Sequence, residues 1–218
     1  MKTIAVMLDA GFLKHTLYSA LGYRHPTADD IIDFTKDCLR SDEELFRIYY
    51  YDCPPFEGRS VNPVSRSMVD FSASATCRRE KSLQDALAVK DFVAFRKGVL
   101  AFNGWYVDPN ATREIIKTSR AVRDTDLKPD IKQKLVDMKI GLDVAWLSSK
   151  RIVERIILVT GDSDFIPAMK FARREGVQIV VITINNKGVK RDLRVHSDEV
   201  RNVTVSPRLP LRVPPAKP

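Results

Sequence analysis

Apolar residues recur along this chain with two different spacings. Compact runs rich in β-branched and aromatic side chains occupy Thr3 to Leu8, Leu45 to Tyr51, Val99 to Val107, Arg155 to Thr160 and Val177 to Ile184. Runs of this length and make-up predict strands, and the continuous ones predict strands buried on both faces. Between them the spacing stretches to about 3.6 residues. Phe12, Leu13, Leu17, Tyr18 and Leu21 fit one helix closed by Gly22. Ile31, Ile32, Phe34, Thr35 and Leu39 fit a second, with Thr27 as N-cap and Asp29 and Asp30 in its first turn. Ile166, Met169, Lys170 and Ala172 fit a third, closed by Gly176.

Other stretches are less sharply patterned. Residues 56–66 read as an exposed loop, and Pro63 to Lys97 as polar helix, so that about 56–97 forms a helical insertion without a motif. Gly104 marks a bulge in its strand. Residues 108–129 are polar and charged, and Asp130 to Lys150 reads as helix broken near Val136 and Asp137. Asn185 to Val205 predicts a short helix and a final edge strand. Strands alternating with helices imply an α/β domain over 1–206, with a central, mostly parallel sheet flanked by helices. Residues 207–218, with five prolines and three basic side chains, read as a disordered tail.

Composition narrows the class. At 218 residues, 44% hydrophobic and 29% charged, the chain is long enough for one large globular domain. No apolar run reaches the roughly 20 residues of a membrane span, and the first strand lacks the features of a signal peptide. Cys38, Cys53 and Cys77 form no metal or redox spacing and read as reduced thiols, which points to a cytoplasmic protein. The net charge of +8, from 36 basic and 28 acidic residues, favours a polyanionic partner.

Against that basic background, acids gather at strand ends. The first strand runs into Asp9, and the fourth runs through Thr160 and Gly161 into Asp162 and Asp164. Parallel sheets bind ligands outside the carboxyl ends of their strands. Each acid also has a purely structural use, as a helix cap or an Asx-turn. Carboxylates converging from separate segments suit Mg2+ or Mn2+, which take oxygen ligands and assist attack on a phosphodiester. Asp137 is a third contributor, readable also as the N-cap of a helix from Met138 to Leu147. Asp143 diverges from Asp137 by roughly 120° on a helix and stacks with Lys139. It is kept, with Thr160, as a supporting group around the ligands. Lys132, Lys134, Lys139 and Lys14 are the expected phosphate contacts. Trp105 and Tyr106 read as core packing before base stacking, and the three histidines share no spacing that suggests a ligand set or triad.

With those residues in place, the chain resembles NYN-domain proteins, specifically the LabA-like (DUF88) branch of the PIN-like nuclease superfamily. The resemblance rests on three blocks: Met7-Leu8-Asp9-Ala10-Gly11-Phe12-Leu13; Lys132 to Asp137 followed by Gly141-Leu142-Asp143; and Thr160-Gly161-Asp162-Ser163-Asp164-Phe165. It implies a Rossmann-like PIN fold, a Mg2+ or Mn2+ site on Asp9, Asp137, Asp162 and Asp164, and cleavage of RNA. Self-association is left open. Two departures stand out: Val136 where many members have Gly, and Gly11-Phe12 where many carry Asn. A non-catalytic RNA-binding module with the same fold is the main alternative. A HAD-type phosphatase is disfavoured because Gly11 occupies the position of its second Asp.

Overall fold

The computed structural model describes residues 1–206; the expected tail at 207–218 lies outside the described residues. β1 (Lys2–Asp9) leads into α1 (Ala10–Ala20) and α2 (Ala28–Asp37), followed by β2 (Glu43–Asp52). β3 (Arg59–Val61) and β4 (Met68–Asp70) form a small hairpin ahead of α3 (Ala75–Ala88) and β5 (Val93–Lys97). β6 (Val99–Val107), α4 (Pro109–Thr118) and β7 (Leu127–Lys134) come next, then α5 (Val136–Ser149). The chain closes with β8 (Arg155–Val159), α6 (Ile166–Arg174), β9 (Gln178–Ile184), α7 (Arg191–Val195) and β10 (Glu199–Val203).

Six strands form the central sheet in the order β10-β9-β8-β1-β2-β5. Every pairing in it is parallel. The predicted α/β architecture is therefore the observed one. Strand alternation divides the core in two. Ile4, Val6 and Leu8 of β1 pack with α1, α2 and α3 on one face, while Ala5 and Met7 pack with α5 and α6 on the other. β8 repeats the division: Ile157 and Val159 go to the first face, Ile156 and Leu158 to the second. Strand order reverses between β1 and β8, whose last paired residues are Leu8 and Val159. In open α/β sheets such a switch point, at the carboxyl ends of the strands, is where ligands bind.

Two expectations need correction. The stretch from Pro63 to Lys97 is not continuous helix: α3 is its only α-helix, β4 precedes it, and β5 is an edge strand of the central sheet. Half-exposed positions on α3 and β5 blur both periodicities. The helix expected from Asp130 starts instead at Val136, and Leu127 to Lys134 is β7, antiparallel to β6. Lysines spaced along one face of a two-stranded ribbon imitate a polar helix. Residues 109–118, read only as polar and charged, form α4, with Asp108 capping and Pro109 in the first turn. Gly104 behaves as expected: its φ of 109° coincides with the register shift in β6.

Candidate active site

Asp9 is the last residue of β1 and the N-cap of α1. Its Oδ1 accepts hydrogen bonds from the amides of Gly11, at 3.1 Å, and Phe12, at 3.4 Å. Capping uses one oxygen of the carboxylate and leaves the second for other partners. Asp9 Oδ2 accepts the hydroxyl of Thr160 at 3.1 Å. Thr160 is buried, and its Oγ1 in turn accepts the amide of Asp162 at 3.1 Å. Asp162 Oδ1 then accepts the amide of Asp164 at 3.0 Å, capping the short 3-10 turn at Ser163–Phe165. One hydrogen-bonded chain thus runs across the switch point from Asp9 through Thr160 to the acid pair.

Alternation explains why Asp9 and Thr160 meet. Counting from Met7 and from Leu158, both project toward the α5 side of the sheet. Asp137 arrives from that side, in the first turn of α5. The N-cap of α5 is Leu135, with φ of 71°, so Asp137 does not occupy the expected cap position. Its electrostatic surroundings link the four acids. Burial and then the charges of Asp162 and Asp164 raise the Asp137 carboxyl above its ordinary range. Burial likewise raises that of Asp9, against the opposing hydrogen bonds from Phe12, Thr160 and Gly11, and the charge of Asp137 adds to the rise. Among the described residues, the side chains of Asp137 and Asp164 have no hydrogen-bond or ion-pair partner.

Hard oxygen donors without a cationic partner suit a divalent ion by donor chemistry. Among the described residues, however, no three His, Cys, Asp or Glu side chains are gathered closely enough to hold a metal as they stand. Asp137 and Asp164 are solvent-exposed, so their side chains are free to reorient.

The remaining expected site residues are placed differently. Asp143 lies apart from the four acids, held by Arg96 at 2.9 and 3.2 Å and by the Tyr51 hydroxyl at 2.9 Å. Its ion-pair partner is Arg96 rather than Lys139, whose Nζ donates to the Lys97 carbonyl. Lys14 is tied to Asp52 at 2.7 Å and Glu80 at 2.6 Å. Burial works against its charge, and the two carboxylates outweigh that effect and raise its pKa. It is therefore committed within the protein. On β7, Pro129, Ile131 and Gln133 face an inner slot, so Lys132 and Lys134 point to the opposite, solvent side, with Lys132 3.7 Å from Asp130. Trp105 packs with Phe71 and Phe102 as expected, whereas Tyr106 is substantially exposed.

Two residues near the site escaped sequence reasoning. Asp52 ends β2 as Asp9 ends β1, and the same strand-then-acid signal marks it. It is buried and bound by Lys14 and Gln84. Gln133 has no such signal. Its Oε1 lies 3.8 Å from where a Cβ on Gly11 would sit, a point 3.4 Å from Asp9 Oδ1.

Residues 67–204 match the NYN domain family, a span that contains Asp137, Asp162 and Asp164 and begins after Asp9. Among solved structures, a protein of unknown function from Vibrio parahaemolyticus is similar over 92% of each chain, with a TM-score of 0.50 and 15% identity. At that identity the likeness concerns the fold. No curated protein matches the chain.

Proposed function

The chain belongs to the NYN domain family of the PIN-like nuclease superfamily, and from that membership we propose that it is a divalent-metal-dependent ribonuclease of the LabA-like (DUF88) branch. The observation that carries this reading is the coupling of acids across the switch point. Burial raises the pKa of Asp9 and the charge of Asp137 adds to the rise, while burial and then the charges of Asp162 and Asp164 raise that of Asp137. The negative charges facing Asp137 and Asp9 thus disfavour the ionisation of these two carboxyls, an arrangement that a cation relieves.

Asp9, Asp137, Asp162 and Asp164 are the residues that would hold Mg2+ or Mn2+. Such an ion supplies an acidified water and charge neutralisation at phosphorus. The chain's own contribution is positioning. The Gly11 and Phe12 amides fix Asp9 Oδ1, Thr160 orients Oδ2, and the same hydroxyl holds the Asp162 amide. In this reading residues 1–206 act as one domain with RNA as partner. Three free, buried cysteines fit a cytoplasmic setting. Among the described residues no helix is long and apolar enough to cross a membrane.

Two measurements test the reading. Wild type incubated with single-stranded and structured RNA should cleave in Mn2+ and not in EDTA, and Asp9→Asn should abolish cleavage. Independently, Mn2+ should raise the melting temperature of the wild type and leave that of Asp9→Asn unmoved. Cleavage unchanged in Asp9→Asn overturns the mechanism. Absence of any Mn2+-dependent thermal shift in the wild type removes the metal from it.

A further inference from the structure

Beside the acids lies a slot of about 380 Å3, within the size range of small-ligand sites. Its lining separates into two chemistries. One part is aromatic: Phe56 and Phe71 sit with ring centroids 5.3 Å apart, and Phe56 is backed by Phe102 stacked at 5.5 Å. The other is polar, made by the Lys14–Asp52–Glu80 cluster and Gln133. Gln133 also borders Gly11, which carries no side chain to separate it from Asp9.

This lining selects among ligands. A phosphate is disfavoured, because Lys14, the one cation among the described residues lining the slot, is already answered by two carboxylates. A purely aliphatic group would strand the polar part. A flat, neutral heterocycle with a hydrogen-bonding edge satisfies both: its face stacks on phenylalanine and its edge meets carboxylate and amide oxygens. Given the ribonuclease reading, on which this step rests, the geometry points to the slot between Phe56, Phe71 and Gln133 as the receptor for one unpaired nucleobase of a single-stranded RNA lying across the acids. A base held in a duplex stack cannot enter, so the slot makes the site selective for single strands.

Binding in EDTA separates this proposal from the chemistry. Fluorescence anisotropy would compare a short single-stranded RNA, the same oligomer made abasic at each position in turn, and the same sequence closed in a hairpin stem. One abasic position should weaken binding roughly tenfold or more, and the hairpin should bind as poorly. Thr76 lines the slot, is exposed, and has no side-chain hydrogen bond among the described residues. Thr76→Tyr should therefore block the slot without harming the fold. It should reduce affinity for the intact oligomer to that of the abasic one and leave abasic binding unchanged. Gln133→Ala should weaken the intact oligomer only. Equal affinity for intact and abasic oligomers, or base dependence that survives Thr76→Tyr, overturns the proposal. Base-dependent binding without Mn2+-dependent cleavage keeps the slot and removes the nuclease reading. Cleavage without base dependence does the reverse.

Discussion

Thr160 shows how one hydroxyl can organise a site. It donates to Asp9 and accepts from the Asp162 amide, and it is buried, so water cannot replace either bond freely. Thr160→Val keeps the shape and removes both bonds, leaving the Asp162 amide without its acceptor. Stability should fall by about 1–3 kcal/mol, and cleavage should fall further than stability alone explains. Urea titrations alongside single-turnover cleavage would separate the two losses. Tyr50 presents the opposite case. Its ring is buried and its hydroxyl has no partner among the described residues, although the charges of Asp52, Glu80 and Asp9 reach it. An unpaired buried hydroxyl costs about 1–3 kcal/mol. Tyr50→Phe should therefore leave thermal stability unchanged or raise it, and a drop of more than about 1 kcal/mol would falsify the view that this oxygen is unsatisfied.

At the scale of elements, α5 has two jobs at different points along its length. Asp137 in its first turn faces the acids, and Asp143 further along is clamped by Arg96 of β5 and Tyr51 of β2. The clamp fixes the helix that presents Asp137. Asp143→Asn keeps a partner for the Tyr51 hydroxyl and loses the charged pair with the partly exposed Arg96. A cost of about 1 kcal/mol or less is expected, with cleavage reduced through misplacement of Asp137, seen as a lower kcat in a variant that still binds RNA. The strands that build the switch point are legible in the sequence, since β1 and β8 are continuous apolar runs closed by Asp9 and by Gly161. Asp9, Asp162 and Asp164 could be read for the same reason. Asp143 could not be placed, because its partner Arg96 lies 47 residues away in an edge strand whose half-buried pattern resembled helix. β6 is legible as a strand, but its partner β7 is hidden on similar grounds. Its inner residues Ile131 and Gln133 and outer residues Lys132 and Lys134 alternate, but the polar character of most of them hides the period.

Across the whole molecule, Glu43 at one end of the sheet and the Asp9–Asp137 pair at the other are treated in opposite ways, although Asp52, also at the carboxyl end, is paired with Lys14. At the amino end, the Glu43 carboxylate is fully buried, paired with Arg155 of β8 and held by Arg201 of β10 at 2.7 and 2.8 Å. Burial opposes its ionisation, yet the bonds from Arg201, Arg40 and Arg155 prevail and its pKa is lowered to about 2. At the carboxyl end, Asp9 and Asp137 have raised values and, among the described residues, no ion-pair partner. The signs follow from linkage. Glu43 contributes stability that is present above the ordinary value of 4.5 and lost as pH falls through about 2. Asp9 and Asp137 contribute stability that is present below 3.8 and lost as pH rises through their raised values. Glu43→Gln should therefore destabilise the protein at neutral pH, by roughly 3–5 kcal/mol because it leaves two buried guanidiniums short of a partner, and the deficit should shrink as pH approaches 2. Asp137→Asn should do the contrary in metal-free buffer, raising stability at neutral pH and losing the advantage below about pH 4. Urea denaturation of both variants from pH 2 to 8 in EDTA gives two difference curves. Curves of opposite slope mean that the sheet stores its electrostatic stability at the amino end and gives some up at the end where the acids are left free for a cation; parallel curves mean that the carboxyl-end acids are ordinary surface charges.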